Sequence, residues 1–242
     1  MQSETNPRLY FRQLLCGREL AARDPIAAQM VNFVYLIGDR ETGECLAVDP
    51  AWDVDGLVAL AQADGMRIIG ALCTHYHPDH VGGDLFGHRV AGVARLLELQ
   101  PVRVHVHRAE AAGIRLVTGI GASDLVAHDG GDVLKVGEIA IELVHTPGHT
   151  PGSQCFLVDG RLVSGDTLFV QGCGRVDLPG GDPEEMYRTL TQRLLRLPET
   201  TVLFPGHDYG PSPTSTLADE RRSNVYMRVR SLADWREVMG GF

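Results

Sequence analysis

Four apolar runs in this chain end on side chains that bind metals, and that repetition limits the folds open to it. Arg67 to Cys73 leads into Thr74-His75-Tyr76-His77-Pro78-Asp79-His80, and Ile139 to Val144 leads toward Pro147-Gly148-His149-Thr150-Pro151-Gly152. Arg161 to Val163 leads into Ser164-Gly165-Asp166-Thr167, and Thr201 to Phe204 into Pro205-Gly206-His207-Asp208-Tyr209. The longer runs read as buried strands, and Arg161 to Val163 reads as the second arm of a hairpin with Gln154 to Val158 across Asp159-Gly160. Strands that release such groups four times place them in one neighbourhood, the strand-end edge where α/β sites usually lie.

Imidazole nitrogens with carboxylate oxygens form the ligand set that zinc, iron and manganese accept. A lone His-x-His is weak evidence, because it also describes a solvated strand face. Asp79 and His80 directly after His75 and His77 make it sharper. The spacing puts both first rings on one side of an extended segment, leaving Asp79 and His80 to turn toward a second metal. Gly82-Gly83 is expected to open a short helix whose N-terminal dipole faces the negative ligands. Two Pro-Gly pairs hold His149 in a rigid turn. A buried aspartate such as Asp166 is costly unless it is paired or metal-bound.

The remaining chain reads as alternating strands and helices. Val31 to Ile37 and Cys45 to Asp49 form a hairpin across Glu41-Thr42-Gly43, and Asp53 caps a helix through Ala63 that Gly65 ends. Val90 to Leu99 is helical and Pro101 closes it. The next strand, Val102 to Val106, carries a second pair, His105 and His107, with no Asp-His after it, so these read as structural or surface histidines. His88 and His128 also lack a motif, and His145 is close enough to His149 to stand in the outer shell. Asp182-Pro183 opens a helix to about Leu197. The domain reading is a peripheral N-terminal extension over 1–30, a catalytic α/β domain over 31–210, and a helical segment over 211–242 packed on it.

A net charge of −9 argues against a partner held by phosphate contacts, so no nucleic acid is expected. The Arg221, Arg222, Arg228 and Arg230 cluster reads as a solvated helix face. Five widely spaced cysteines without a Cys-x-x-Cys give neither a disulfide framework nor a thiolate site and fit a reducing cytoplasm. No signal peptide or membrane span is evident.

His75-x-His77-x-Asp79-His80, followed by His149, Asp166 and His207, resembles the metallo-β-lactamase-fold metallohydrolases from about Val31 to His207. The resemblance implies a four-layer αββα sandwich of the α/β (α+β) class, with two divalent metal ions in a cleft at one edge of the sheets. Zinc leads, and iron and manganese also suit the ligands. By that resemblance His75, His77 and His149 bind one metal, Asp79, His80 and His207 bind the other, and Asp166 bridges. Asp79 is the expected catalytic residue, orienting a metal-bound hydroxide.

Gly165-Asp166-Thr167-Leu168-Phe169 with Gly172-Cys173-Gly174-Arg175 is similar to the glyoxalase II branch, which hydrolyses S-acylglutathione thioesters. Residues matching Arg175 and Tyr209 hold glutathione there. The same segments are similar to persulfide dioxygenases, which use one iron on the equivalents of His75, His149 and Asp166. Only 35 residues follow His207, fewer than the glutathione-binding domain of full-length glyoxalase II needs, and the stretch from Val90 to Leu125 is longer than expected. The leading expectation is a metal-dependent hydrolase of a thioester or related ester. A persulfide dioxygenase and a lactonase or other ester hydrolase are the alternatives. The expected partner is a small molecule such as a glutathione conjugate, with a homodimer contact open to the terminal segments and a cytoplasmic location.

Overall fold

The structure, a computed structural model, describes residues 6–240. The first half of the chain supplies β1 (Leu9–Leu15), β2 (Phe33–Asp39), β3 (Glu44–Val48), β4 (Arg67–Leu72), a small hairpin of β5 (Gly83–Leu85) and β6 (His88–Val90), β7 (Arg103–His107) and β8 (Leu125–His128). The second supplies β9 (Val133–Val136), β10 (Ile139–His145), β11 (Gln154–Val158), β12 (Arg161–Gly165), β13 (Leu168–Phe169), β14 (Gly172–Cys173), β15 (Val202–Pro205) and β16 (Ser215–Thr216). They form two six-stranded sheets, ordered β1-β2-β3-β4-β7-β8 and β16-β15-β12-β11-β10-β9.

Side-chain alternation decides how the sheets stack. Every residue of β2 is buried, because the strand is covered on both faces. Phe33, Tyr35 and Ile37 point between the sheets, against Ile141, Leu143, Phe156 and Val163 of the second sheet. Val34 and Leu36 point outward. The outer face of the first sheet is covered by apolar residues of α2 (Val54–Ala63), α4 (Val93–Leu99) and α5 (Ala111–Thr118); the shorter α1 (Ala27–Met30) and α3 (Pro78–Val81) lie between strands. The outer face of the second sheet is covered by α6 (Pro183–Arg188), α7 (Leu217–Ser223) and α8 (Leu232–Val238), through Met186, Leu217 and Trp235. The layers are therefore helix, sheet, sheet, helix.

Four expectations change. Of the 1–30 stretch, residues 1–5 lie outside the described residues, and the rest is not merely peripheral, because β1 pairs with β2 along seven positions and buries Tyr10 and Leu14. Gly82-Gly83 does not open a helix. The helical turn is α3, which begins at Pro78 and ends at Gly82, where φ is 87° and an added Cβ would lie 2.7 Å from the Gly92 backbone. The helix from Pro183 relaxes after Arg188 into a wider π turn and a 3₁₀ turn that ends at Arg196. The C-terminal segment carries α7 and α8, with Trp235 fully buried among Leu190, Leu194 and their neighbours. Arg221 does not face solvent alone, since its guanidinium donates to the Leu195 and Leu197 carbonyls.

Candidate metal centre

The strand ends converge as the topology requires. β4 delivers the His75 loop at the edge of the first sheet. In the second sheet the parallel neighbours β12 and β15 deliver Asp166 and His207, and the turn between β10 and β11 delivers His149. Gly165 has a φ of 48°, and a Cβ there would lie 2.6 Å from Thr74, so the two sheets approach each other through a position only glycine fills easily. Tyr35 ties the same edge together by donating from β2 to the Pro205 carbonyl at 2.5 Å.

The seven expected ligand residues meet there, all at least largely buried. His75 Nε2 lies 3.1 Å from His77 Nδ1, which lies 2.9 Å from His149 Nε2. His80 Nε2 lies 3.2 Å from His207 Nε2, and each is 3.3 Å from Asp79 Oδ2. Asp166 reaches both groups, with Oδ1 3.2 Å from His80 Nε2 and Oδ2 3.6 Å from His149 Nε2. Four donors held tetrahedrally around a zinc-sized ion lie about 3.3 Å from one another. His75, His77 and His149 form one group that could hold an ion, and Asp79, His80 and His207 another.

The outer partners point the free nitrogens inward. His149 Nδ1 donates to the Arg175 carbonyl and His207 Nδ1 to the Met30 carbonyl, both at 2.7 Å. His80 Nδ1 donates to Asp49 Oδ2 at 2.9 Å. Thr74 Oγ1 donates to the same carboxylate at 2.6 Å and accepts from His75 Nδ1 at 3.0 Å. Each of these rings is thereby fixed with Nε2 as the nitrogen free to take an ion, and His77 would offer Nδ1 instead. Converging lone pairs about 3 Å apart repel unless a cation lies between them. The buried Asp166 Oδ1, which accepts no hydrogen bond despite two imidazoles beside it, fits the same reading.

Proton affinities follow from burial and charge. Burial, then the neighbouring imidazoles, keep His75 well below the ordinary histidine range, and burial with His149 takes His77 to about 4. Burial also lowers the affinity of His207 for a proton, but the Asp166 and Asp79 carboxylates outweigh it and bring the group to about 9. Carboxylates that attract a proton this strongly attract a divalent ion at the same place.

Comparison with known proteins agrees with this geometry. The sequence model for the metallo-beta-lactamase superfamily matches residues 29–207. The chain belongs to this superfamily. Within it, the chain is 30% identical over 227 residues to the human mitochondrial persulfide dioxygenase ETHE1, covering 93% of this chain and 82% of that protein. It is 34% identical over 234 residues to a hydroxyacylglutathione hydrolase of Polaromonas, covering 83% and 82%. Among solved structures it is similar to ETHE1 from Myxococcus xanthus, with a TM-score of 0.76 and 28% identity over 95% of this chain and 89% of that one. The four layers described above are the metallo-beta-lactamase fold, and its glyoxalase II and ETHE1 branch is the one this chain resembles.

Around the metal groups of this superfamily member lies a cleft of about 530 Å³. Arg175 and Tyr209 both line it. Tyr209 stacks on His207 with ring centroids 4.5 Å apart and 9° between planes, and is 54% exposed. The Arg175 guanidinium is held by Asp177 through two 2.7 Å bonds, and its backbone carbonyl is what addresses His149.

Four outer residues were not legible as site residues. Asp49 ends an apolar strand as the ligands do, a signal that could have singled it out. Asn32 donates to Asp79 Oδ2, and Trp52 Nε1 donates to Asn32 Oδ1 and the Asp79 carbonyl. Glu110, fully buried, accepts from Tyr76 N at 2.8 Å, Gly152 N at 2.7 Å and Thr150 Oγ1 at 3.0 Å, so it joins the His75 loop to the His149 loop. In sequence it lies in an Arg-Ala-Glu run that carries no signal. His145 is not an outer partner of the ligands; it bonds the Pro151 carbonyl and stacks on His107.

Proposed function

We propose that the chain is a two-metal hydrolase that cleaves a thioester or related ester. The observation that carries this reading is the completeness of the second group: Asp79, His80 and His207 converge as fully as His75, His77 and His149, with Asp166 facing both. When bound, two divalent ions would lower the pKa of water and stabilise negative charge developing on a carbonyl oxygen. The chain's own residues orient and shield. Asn32 holds Asp79 Oδ2 in place, so that carboxylate can orient water and take up its proton. Tyr209 and Arg175 border the cleft where the group leaving the carbonyl would lie. No serine or cysteine nucleophile is needed, and the half-buried Cys173, with its thiol pushed up to about 12 by burial, does not act as one.

The second reading, a persulfide dioxygenase with one iron on His75, His149 and Asp166, is supported by the similarity to ETHE1 along nearly the whole chain. The test is metal analysis of the purified protein, with thiol release from S-lactoylglutathione and other thioesters followed beside oxygen uptake with glutathione persulfide. Two metals with oxygen-independent thiol release support the hydrolase. One iron with oxygen consumption moves the assignment to the dioxygenase and leaves His80 and His207 as outer residues.

A further inference from the structure

The β5–β6 hairpin carries a residue that neither the fold nor the metal groups use. Gly83 pairs with Val90, Asp84 with Arg89 and Leu85 with His88, leaving Phe86 and Gly87 as a two-residue connection. Their φ values are 52° and 88°, the signs of a type I′ hairpin turn. The first position of such a turn favours asparagine, aspartate or glycine, which tolerate left-handed backbone and water alike. Phenylalanine is unfavourable there on both counts, with a bulky side chain on left-handed backbone and a ring that is 98% exposed. A local rule broken without any packing in return is a common mark of a functional position.

Phe86 stands at the mouth of the cleft that has Asp79, His149, Asp166 and His207 at its base. Leu85 joins it on the same hairpin, and Met30, Phe169, Leu178 and Tyr209 line the cleft with them. Apart from the ligand residues, Arg175 is the one charged side chain lining this cleft among the described residues, and Asp177 already holds its guanidinium. The wall therefore offers apolar surface and little free charge. Such a wall suits an alkyl chain or an aromatic ring better than the carboxylates of glutathione.

We propose that Phe86 is a specificity-determining residue, and that the substrate carries an apolar acyl group which this ring covers. The inference rests on the thioester or ester reading. Both substrate types share the acyl group, so it is the portion that a single wall can select. Turnover of metal-loaded enzyme would be measured on thioesters of one thiol with the acyl chain lengthened from acetyl to octanoyl, in the wild type and in Phe86→Asn. The expected result is a rise in kcat/KM of about ten-fold or more with chain length, mostly through KM. In Phe86→Asn that rise disappears while Tm is unchanged or higher, because asparagine suits the turn. A flat chain-length profile, or the same rise in the variant, overturns the proposal. Calorimetric titration of metal-loaded protein with octanoate and acetate separates this outcome from failure of the parent reading. If no thioester is cleaved yet octanoate binds more tightly than acetate through Phe86, the hydrolase reading fails and the apolar site stands. Cleavage with no such preference leaves the hydrolase standing and removes the apolar site.

Discussion

Two His-x-His segments stand on neighbouring parallel strands of this molecule, one just past the end of β4 and one inside β7, and only the first converges on the candidate metal centre. Leu72 of β4 is paired with His105 of β7, so the segments begin almost side by side. His105 and His107 remain inside β7, where two residues rise about 6.6 Å along the strand and each ring finds its own partner. His105 bonds His128 at 2.9 Å, and His107 stacks flat on His145 at 4.0 Å and 8°. The chain has left β4 before His75, and the His75 and His77 rings meet edge to face with nitrogens 3.1 Å apart. Histidine spacing alone does not decide. Departure from the strand and nearby carboxylates do, and the first segment has Asp49, Asp79 and Asp166 where the second has none directed between its rings.

The largest expected effect comes from removing a convergent donor. His149→Ala should lower activity by more than about 100-fold, the upper range for losing an outer partner, and should release at least one metal by elemental analysis. Full activity with both metals retained would end the ligand assignment.

Glu110 is the next place to press. It starts just beyond the second histidine pair, yet its carboxylate serves the first. Glu110→Gln keeps one acceptor oxygen and turns an amide donor toward one backbone N–H, that of Tyr76 or of Gly152, at a cost of about 2 kcal/mol. Metal affinity measured against a competing chelator should fall about 10-fold to 100-fold, and Glu110→Asp should recover some of it. If the chelator curve does not move, the link between the loops has no bearing on the metals.

Much of this was readable from sequence because strands and ligands share one signal. Apolar runs ending on His or Asp marked β4, β10, β12 and β15 together with the residues they deliver, and the family pattern supplied the order of the layers. What could not be read is what depends on the third dimension. Asn32 is a polar residue in a β-rich run, Trp52 looks like any core aromatic, and Met30 meets His207 through a backbone carbonyl that no side-chain pattern reveals. β1 reads as peripheral in sequence because polar Arg12 and Gln13 interrupt its apolar pattern at an edge strand. Glu110 sits in an exposed-looking acidic and basic stretch, and its burial exists only once α5 packs down.

The two clusters should also differ in how pH acts on them. Burial, with His128 beside one ring and His145 beside the other, brings His105 and His107 to about 4. In the unfolded chain they titrate near 6.5, so between those values the unfolded state binds more protons. Their contribution to stability is complete above about pH 6.5 and is lost as pH falls toward 4. Metal-free protein should show a falling Tm across that window, and His107→Phe should flatten some of the fall. An identical slope in wild type and variant would mean that the second cluster is not what titrates.

The same variant gives the smallest effect and the sharpest contrast. A phenyl ring at position 107 keeps the flat stack on His145 and loses only the weak 3.3 Å bond from Ala109 N to the His107 ring. The nearest metal-binding side chains hang on different loops, and the nitrogens lost at 107 point at none of them. Metal content should stay the same and kcat/KM should change by no more than about two-fold, the low end of what one hydrogen bond contributes. The side chain does stand close to Gly152, whose N–H Glu110 accepts, so a bulkier ring tests whether that contact can be disturbed from behind. A ten-fold loss of metal affinity in His107→Phe would show that the stacked pair braces the His149 turn, and the second His-x-His would then count as belonging to the metal centre rather than as its counterexample.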